Sequence, residues 1–237
     1  RICNRIVLAG YQADAEMNQE MINMKMNRVS LIIFILILSC LPVTPVLAKK
    51  SPPAVNDEGM ELVKDSKLET VYTDPGADLS TYNRVMLLDA TVTFKKNWKR
   101  GQNIGNPFKV KDRDMVKIQD EVATIFREVF TKELVDAGYA IAQEPAADVL
   151  LVKPAIVDLD VVAPDIHNPT RTHSFSESAG EMTLNLELFD SLTDDKIASA
   201  SDRKRDIYRG YLERRTSVRN RADARRAMTE WAKAFTS

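Results

Sequence analysis

Glu181-Met182-Thr183-Leu184-Asn185-Leu186-Glu187-Leu188-Phe189-Asp190 alternates without a break. Met182, Leu184, Leu186 and Leu188 share one face. Thr183, Asn185 and Glu187 share the other. A period of two is the signature of a half-buried strand. Leu192 to Asp195 carries turn residues, and Lys196 to Ser201 then pairs back as a hairpin. Upstream, Val149 to Val162 is a long β-branched run. Pro154 inside it has no amide proton to give a ladder, which points to an edge or a bulge. Arg84 to Phe94 alternates as well, with Met86, Leu88, Ala90, Val92 and Phe94 on the buried side.

Two helices complete the pattern. From Asp112 or Asp114, either of which is a suitable cap, Met115, Ile118, Val122, Ile125, Phe126 and Val129 recur at three- and four-residue steps, and Gly138 ends the helix in a left-handed conformation. Asn220 to Phe235 places Ala224, Ala227, Met228, Trp231 and Phe235 on one stripe. Tyr139 to Ala142 reads as a short strand, and Lys95 to Lys111 as a basic loop. The expected fold class is α+β: a mostly antiparallel sheet of about four to five strands with two main helices packed on one face.

The N-terminal region reads as an address. Val29 to Leu41 is an apolar run of about 13 residues, where a membrane span needs roughly 20. It follows Lys25 and Arg28 and ends at Pro42 and Pro45. This is the three-part build of a secretory signal over residues 26–48, with cleavage after Ala48. Cys40, preceded by Ile37-Leu38-Ser39, offers an alternative lipidation site and a membrane lipoprotein. Residues 1–25 are expected to be over-called sequence ahead of the signal, 49–64 a flexible leader, and 65–237 a single α+β domain. Export to the periplasm or cell envelope argues against functions that need ATP, NAD or a reducing compartment.

Three stretches carry a family resemblance: Tyr72 to Ala90, which opens Tyr72-Thr73-Asp74-Pro75-Gly76; Asp148 to Val161; and Ser178 to Asp195. Together, and in this order, they resemble a family of exported bacterial proteins catalogued as a domain of unknown function, DUF3313. The likeness spans Asp65 to Trp231. It implies the bacterial envelope and supplies no activity and no catalytic residues. The family usually has Gly in the hairpin turn where this chain has Asp194 or Asp195.

Composition narrows the chemistry. Of 33 Lys+Arg and 34 Asp+Glu, four and three fall before Lys49, which leaves the mature chain at a net −2. That balance does not suit general nucleic-acid binding. The two cysteines, Cys3 and Cys40, both precede Lys49, so the mature chain has no disulfide, thiol nucleophile or Cys-ligated zinc.

Four groups of residues are candidate sites. Arg203, Lys204, Arg205, Arg209, Arg214, Arg215, Arg219, Arg221, Arg225 and Arg226 stand against only Asp206, Glu213 and Asp223, with Tyr208 and Tyr211 interleaved. Lys95, Lys96, Lys99 and Arg100 form a second basic segment. Guanidinium forks suit phosphate and carboxylate groups. The candidate anion-binding set is therefore Arg203, Lys204, Arg205, Arg209, Arg214, Arg215, Lys95, Lys96, Lys99 and Arg100. The competing reading is a solvated helix face balanced by acids elsewhere. His167 and His173 with Asp158, Asp160 and Asp165 define a possible metal loop, though no recognised ligand spacing is present. Ser174 or Ser176 beside His173 lacks a nucleophile elbow. Phe126, Phe130 and Trp231 either line a small-ligand pocket or form core.

The expected function is that of a non-catalytic envelope protein, an accessory or adaptor with a basic surface. Its partners would be an envelope protein or an anionic envelope component, with peripheral membrane contact. A metal-dependent enzyme and a small-ligand carrier are the alternatives. No cofactor and no nucleic acid are expected.

Overall fold

Leu184 and Leu186 are fully buried and Glu187 is exposed, so the alternation holds in three dimensions. The computed structural model describes residues 51–162, 164, 174–176, 180–205 and 213–237. The strands are β1 (Glu61–Leu62), β2 (Thr70–Thr73), β3 (Arg84–Leu87), β4 (Thr91–Phe94), β5 (Ala140–Ile141), β6 (Val149–Val161), β7 (Ser174–Ser176), β8 (Gly180–Asp190), β9 (Lys196–Arg205) and β10 (Glu213–Arg215). The helices are α1 (Trp98–Asn103), α2 (Asp112–Asp136) and α3 (Ser217–Phe235).

The main sheet has eight strands in the order β1-β2-β9-β8-β6-β3-β5, with β4 also paired to β6. β7 and β10 form a separate two-stranded sheet. The α+β class stands, but the sheet is larger than four to five strands and is mixed. β3 and β4 run parallel to β6, and β3 runs parallel to β5. A parallel pair needs a long crossover. Here α1 and α2 supply it between β4 and β6.

Register builds the core. Val85 and Leu87 sit opposite Leu150 and Val152. Val152, Pro154 and Ile156 sit opposite Leu188, Leu186 and Leu184. Those leucines sit opposite Ala198, Ala200 and Asp202. One sheet face is thus a continuous apolar row, and α2 and α3 cover it. Phe126, Phe130, Met228 and Trp231 are fully buried there. Phe126 and Phe130 stack at 4.0 Å, and Phe235 tilts against Phe130 at 6.3 Å. Each such aromatic contributes about 1.5–3 kcal/mol by leaving water.

Two local expectations change. Arg84–Phe94 is not one strand. Val85 and Leu87 are buried in β3 while Leu88 is exposed, and β4 buries Val92. The buried phase flips between them, where Arg127 of α2 donates to Asp89 and to the Leu87 carbonyl at 2.7 and 3.5 Å. Pro154 lies in a central strand, not at an edge. The Leu88 amide donates to the Val152 carbonyl, so even-numbered backbone groups of β6 face β3 and β4. Pro154 therefore faces the break between those strands, where the pairing stops at Val152 and resumes at Ala155.

The ends of the elements are conventional. Asp114 Oδ2 accepts from the Lys111 amide, Gly138 takes φ +95°, and Thr216 Oγ1 accepts from the Arg219 amide. Asp194 holds φ +59° in the β8–β9 turn, the conformation that glycine adopts without strain. The stretch expected to be a leader contains β1 and the buried Met60, and Tyr72 donates to the Pro53 carbonyl at 3.0 Å.

Asp202 is the one charged residue buried on the helix-covered face among those described. Its Oδ2 accepts from Trp231 Nε1 at 2.7 Å and its Oδ1 from the Glu69 amide at 2.8 Å. It ties α3, β9 and the approach to β2 together. Asp202→Ala is expected to cost about 2–3 kcal/mol, because the buried Trp231 indole and the part-buried Glu69 amide lose their acceptor. In a Trp231→Phe background the same change should cost ~1 kcal/mol less. Urea denaturation of the four proteins checks the coupling, and additive costs would show that the bond contributes nothing.

Candidate functional site at the cationic end of the sheet

The main sheet ends where β6, β8 and β9 finish together, and the backbone there is unusual. Val157 pairs with Thr183, but the next pair is Asp160 with Glu181, so β6 carries one extra residue. Asp158 takes up the bulge at φ +53°, a region that Asp tolerates better than most residues. Opposite it, Gly180 has φ +130°, and a Cβ there would lie 1.7 Å from the Asp160 carbonyl oxygen. Only glycine fits.

Bulge and glycine together place Glu181 on the face that the helices leave open. Its side chain is 5% exposed, and three cations close on it. Lys95 Nζ lies 2.9 Å from Oε1 and 3.1 Å from Asp160 Oδ2. Arg203 Nη2 lies 2.7 Å from Oε2. Arg205 approaches Oε2 with Nη2 at 2.8 Å and Nε at 2.9 Å. Arg203 and Arg205 share a face because strand side chains alternate, and Arg205 pairs directly with Glu181. For the same reason Lys204 points the other way and meets Glu230 of α3 at 3.0 Å.

The backbone on both sides of Lys95 holds it in place. Its amide continues the ladder to the Leu159 carbonyl. Trp98, buried at the start of α1, stacks on Phe94 at 4.2 Å and donates to the Val161 carbonyl at 3.1 Å. Gln102 reaches the same carbonyl. The basic loop thus contains a helical platform anchored to the end of β6.

The hydrogen bond from Lys95 drives the Glu181 carboxyl down to about 2 from 4.5. Burial opposes that shift, and Arg203 and Arg205 add to it. The same pairing raises the Lys95 ammonium above its ordinary value.

The remaining candidates disperse. Lys99 pairs with Asp112 at 2.5 Å. Lys96 and Arg100 are exposed and make no ion pair among the described residues. Arg221 and Arg225 meet Glu121 and Glu128 of α2 at 3.1 and 2.7 Å, and Arg226 meets Asp223. Arg203 to Arg205 belong to a strand, not to a solvated helix face. Arg214 and Arg215 lie in β10, whose backbone pairs with β7. Arg209, Asp165, His167, His173, Cys40 and the residues around Ala48 lie outside the described residues. Among the described residues no three His, Cys, Asp or Glu side chains converge to hold a metal. No described helix is long and apolar enough to cross a membrane. Phe126, Phe130 and Trp231 are core, and the groove of about 590 Å³ between α2 and α3 is lined by other residues, Arg221 and Glu128 among them.

Sequence reasoning misses Glu181, which opens a well-patterned strand and carries no motif. Its neighbour Gly180, a glycine at the start of that strand, is the available sign of a close backbone approach.

These features define an α+β domain with helices on one sheet face and a preassembled cation cluster at one end of the other. The chain belongs to the family described as Protein of unknown function (DUF3313), whose model matches residues 53–235. No curated protein matches it. Among solved structures, it is similar to the PelC dodecamer from Paraburkholderia phytofirmans at 12% identity and a TM-score of 0.34, over 71% of this chain and 97% of that one. It is similar to a hemagglutinin homolog from Helicobacter pylori at 12% identity and a TM-score of 0.37, over 69% and 86%. A PDZ domain protein from Parabacteroides distasonis matches at 9% and 0.33, over 67% of this chain and 33% of that one. Likenesses this distant carry no inference for this chain.

Two outcomes are expected. Gly180→Ala should destabilise by at least ~3 kcal/mol, since strain and a backbone clash coincide, whereas Gly105→Ala, at φ +66° in open space, should cost about 1 kcal/mol. Thermal denaturation distinguishes them. The Glu181 carboxyl is depressed in the folded state, so its contribution is present above 4.5 and is lost as pH falls towards about 2. Glu181→Gln should flatten that acid limb in plots of urea midpoint against pH. An unchanged limb would show that the ion cluster does not couple to folding.

Proposed function

We propose that the protein is a non-catalytic component of the bacterial envelope, exported under the signal at residues 26–48. It acts as an accessory or adaptor whose cationic end meets an anionic envelope component. The convergence of Lys95, Arg203 and Arg205 carries this proposal. Their side chains remain 47%, 51% and 70% exposed although each contacts Glu181. Exposed cations fixed in place attract anions with little loss of side-chain freedom on contact.

Sedimentation with phosphatidylglycerol vesicles at low salt should carry the protein into the pellet. Phosphatidylcholine vesicles should not. Binding should vanish near 1 M salt, where the screening length falls to about 3 Å. Binding indifferent to both lipid charge and salt would overturn the electrostatic adaptor.

A further inference from the structure

We infer that Lys95, Arg203 and Arg205 form a receptor for a singly charged phosphodiester, with Glu181 as its built-in counter-ion. The inference rests on the adaptor reading and specifies the group recognised.

The charge count sets this place apart. Lys204 with Glu230, Arg221 with Glu121 and Arg225 with Glu128 each set one base against one acid. Here three cations share Glu181 and Asp160, which leaves one positive charge. A monoanion neutralises it.

The donors are also in excess. An ammonium has three N–H groups and a guanidinium five. Lys95 uses two on Asp160 and Glu181. Arg203 engages Glu181 through Nη2, and Arg205 through Nε and Nη2. Among the described residues, the rest of each fork is left for a second acceptor. Both guanidinium groups touch one carboxylate oxygen, so they converge on a span that the non-bridging oxygens of one phosphate bridge.

Stability alone does not account for the arrangement. A buried carboxylate with its partners contributes little compared with apolar packing of the same volume. What Glu181 does supply is position. It holds three long side chains, from β9 and from the end of β4, at one point. The bulge at Asp158 and the glycine at 180 are the backbone distortions that bring it there, and such distortions gather where a site is held in a fixed geometry.

The test is calorimetric titration of the purified protein with diethyl phosphate, beside acetate and inorganic phosphate, and sedimentation with phosphatidylglycerol vesicles. Diethyl phosphate should bind saturably and more tightly than acetate or inorganic phosphate. The Arg203→Gln/Arg205→Gln double variant should lose roughly tenfold in affinity. The Arg221→Gln/Arg225→Gln variant, with the same charge change on α3, should stay within about twofold. If the first double variant does not fold, as judged by circular dichroism, Lys95→Gln takes its place with the same expectation. Equal losses in both double variants, no loss in either, or acetate and inorganic phosphate binding as well as the diester would overturn the receptor. Salt-sensitive vesicle binding that survives the Arg203 and Arg205 changes would leave the adaptor reading standing without it. Diethyl phosphate binding with no vesicle binding would sink the adaptor reading and keep the site.

Discussion

The register of β8 between β6 and β9 is the constraint on which the rest of the structure depends. A strand has two faces and a period of two, so one register assigns every side chain at once. Leu184, Leu186 and Leu188 go to the helix-covered face opposite Ile156, Pro154 and Val152. Glu181, Thr183 and Asn185 go to the other. A slip of one residue would bring Glu181 under α3 and put the leucines in water. The core aromatics of α2 and α3 have a surface to pack on only because that slip is excluded.

The two buried carboxylates show what each face does with a charge. Asp202, under the helices, is met by neutral donors, the Trp231 indole and the Glu69 amide. Hydrogen bonds suffice there because they satisfy the oxygens and fix the last helix against the sheet. Glu181, on the open face, is met by three full charges that reach in from solvent. Burial of the carboxylate and exposure of its partners coexist because lysine and arginine carry their charge at the end of a long apolar stem. One strand pair thus holds a structural anion and a displayed cation cluster on opposite sides.

Distance along the chain misrepresents the basic run. Arg203, Lys204 and Arg205 are consecutive, yet the strand period sends the middle residue to α3 and the outer two to Glu181. Arg221 and Arg225 of α3 follow a helical period instead and meet acids on α2. What reads in sequence as a single positive block is divided among separate environments, and in the one at Glu181 three cations meet two carboxylates. Lys95, more than a hundred residues away, joins that environment through the parallel pairing of β4 with β6.

By itself the sequence determined the elements. Alternation in Glu181–Asp190, helical spacing in Val122–Val129 and the stripe ending at Trp231 depend on local geometry, and local geometry is written in short spacings. It also determined the apolar face of each long helix and, through the turn residues at Leu192 to Asp195, the hairpin. Only the tertiary structure decided the parallel partnership of β3 and β4 with β6, the flip of buried phase at Leu88, the central place of Pro154 and the convergence on Glu181. Each of these is a contact between residues far apart in the chain, and the energy of such a contact depends on register and backbone distortion that no local window of residues contains.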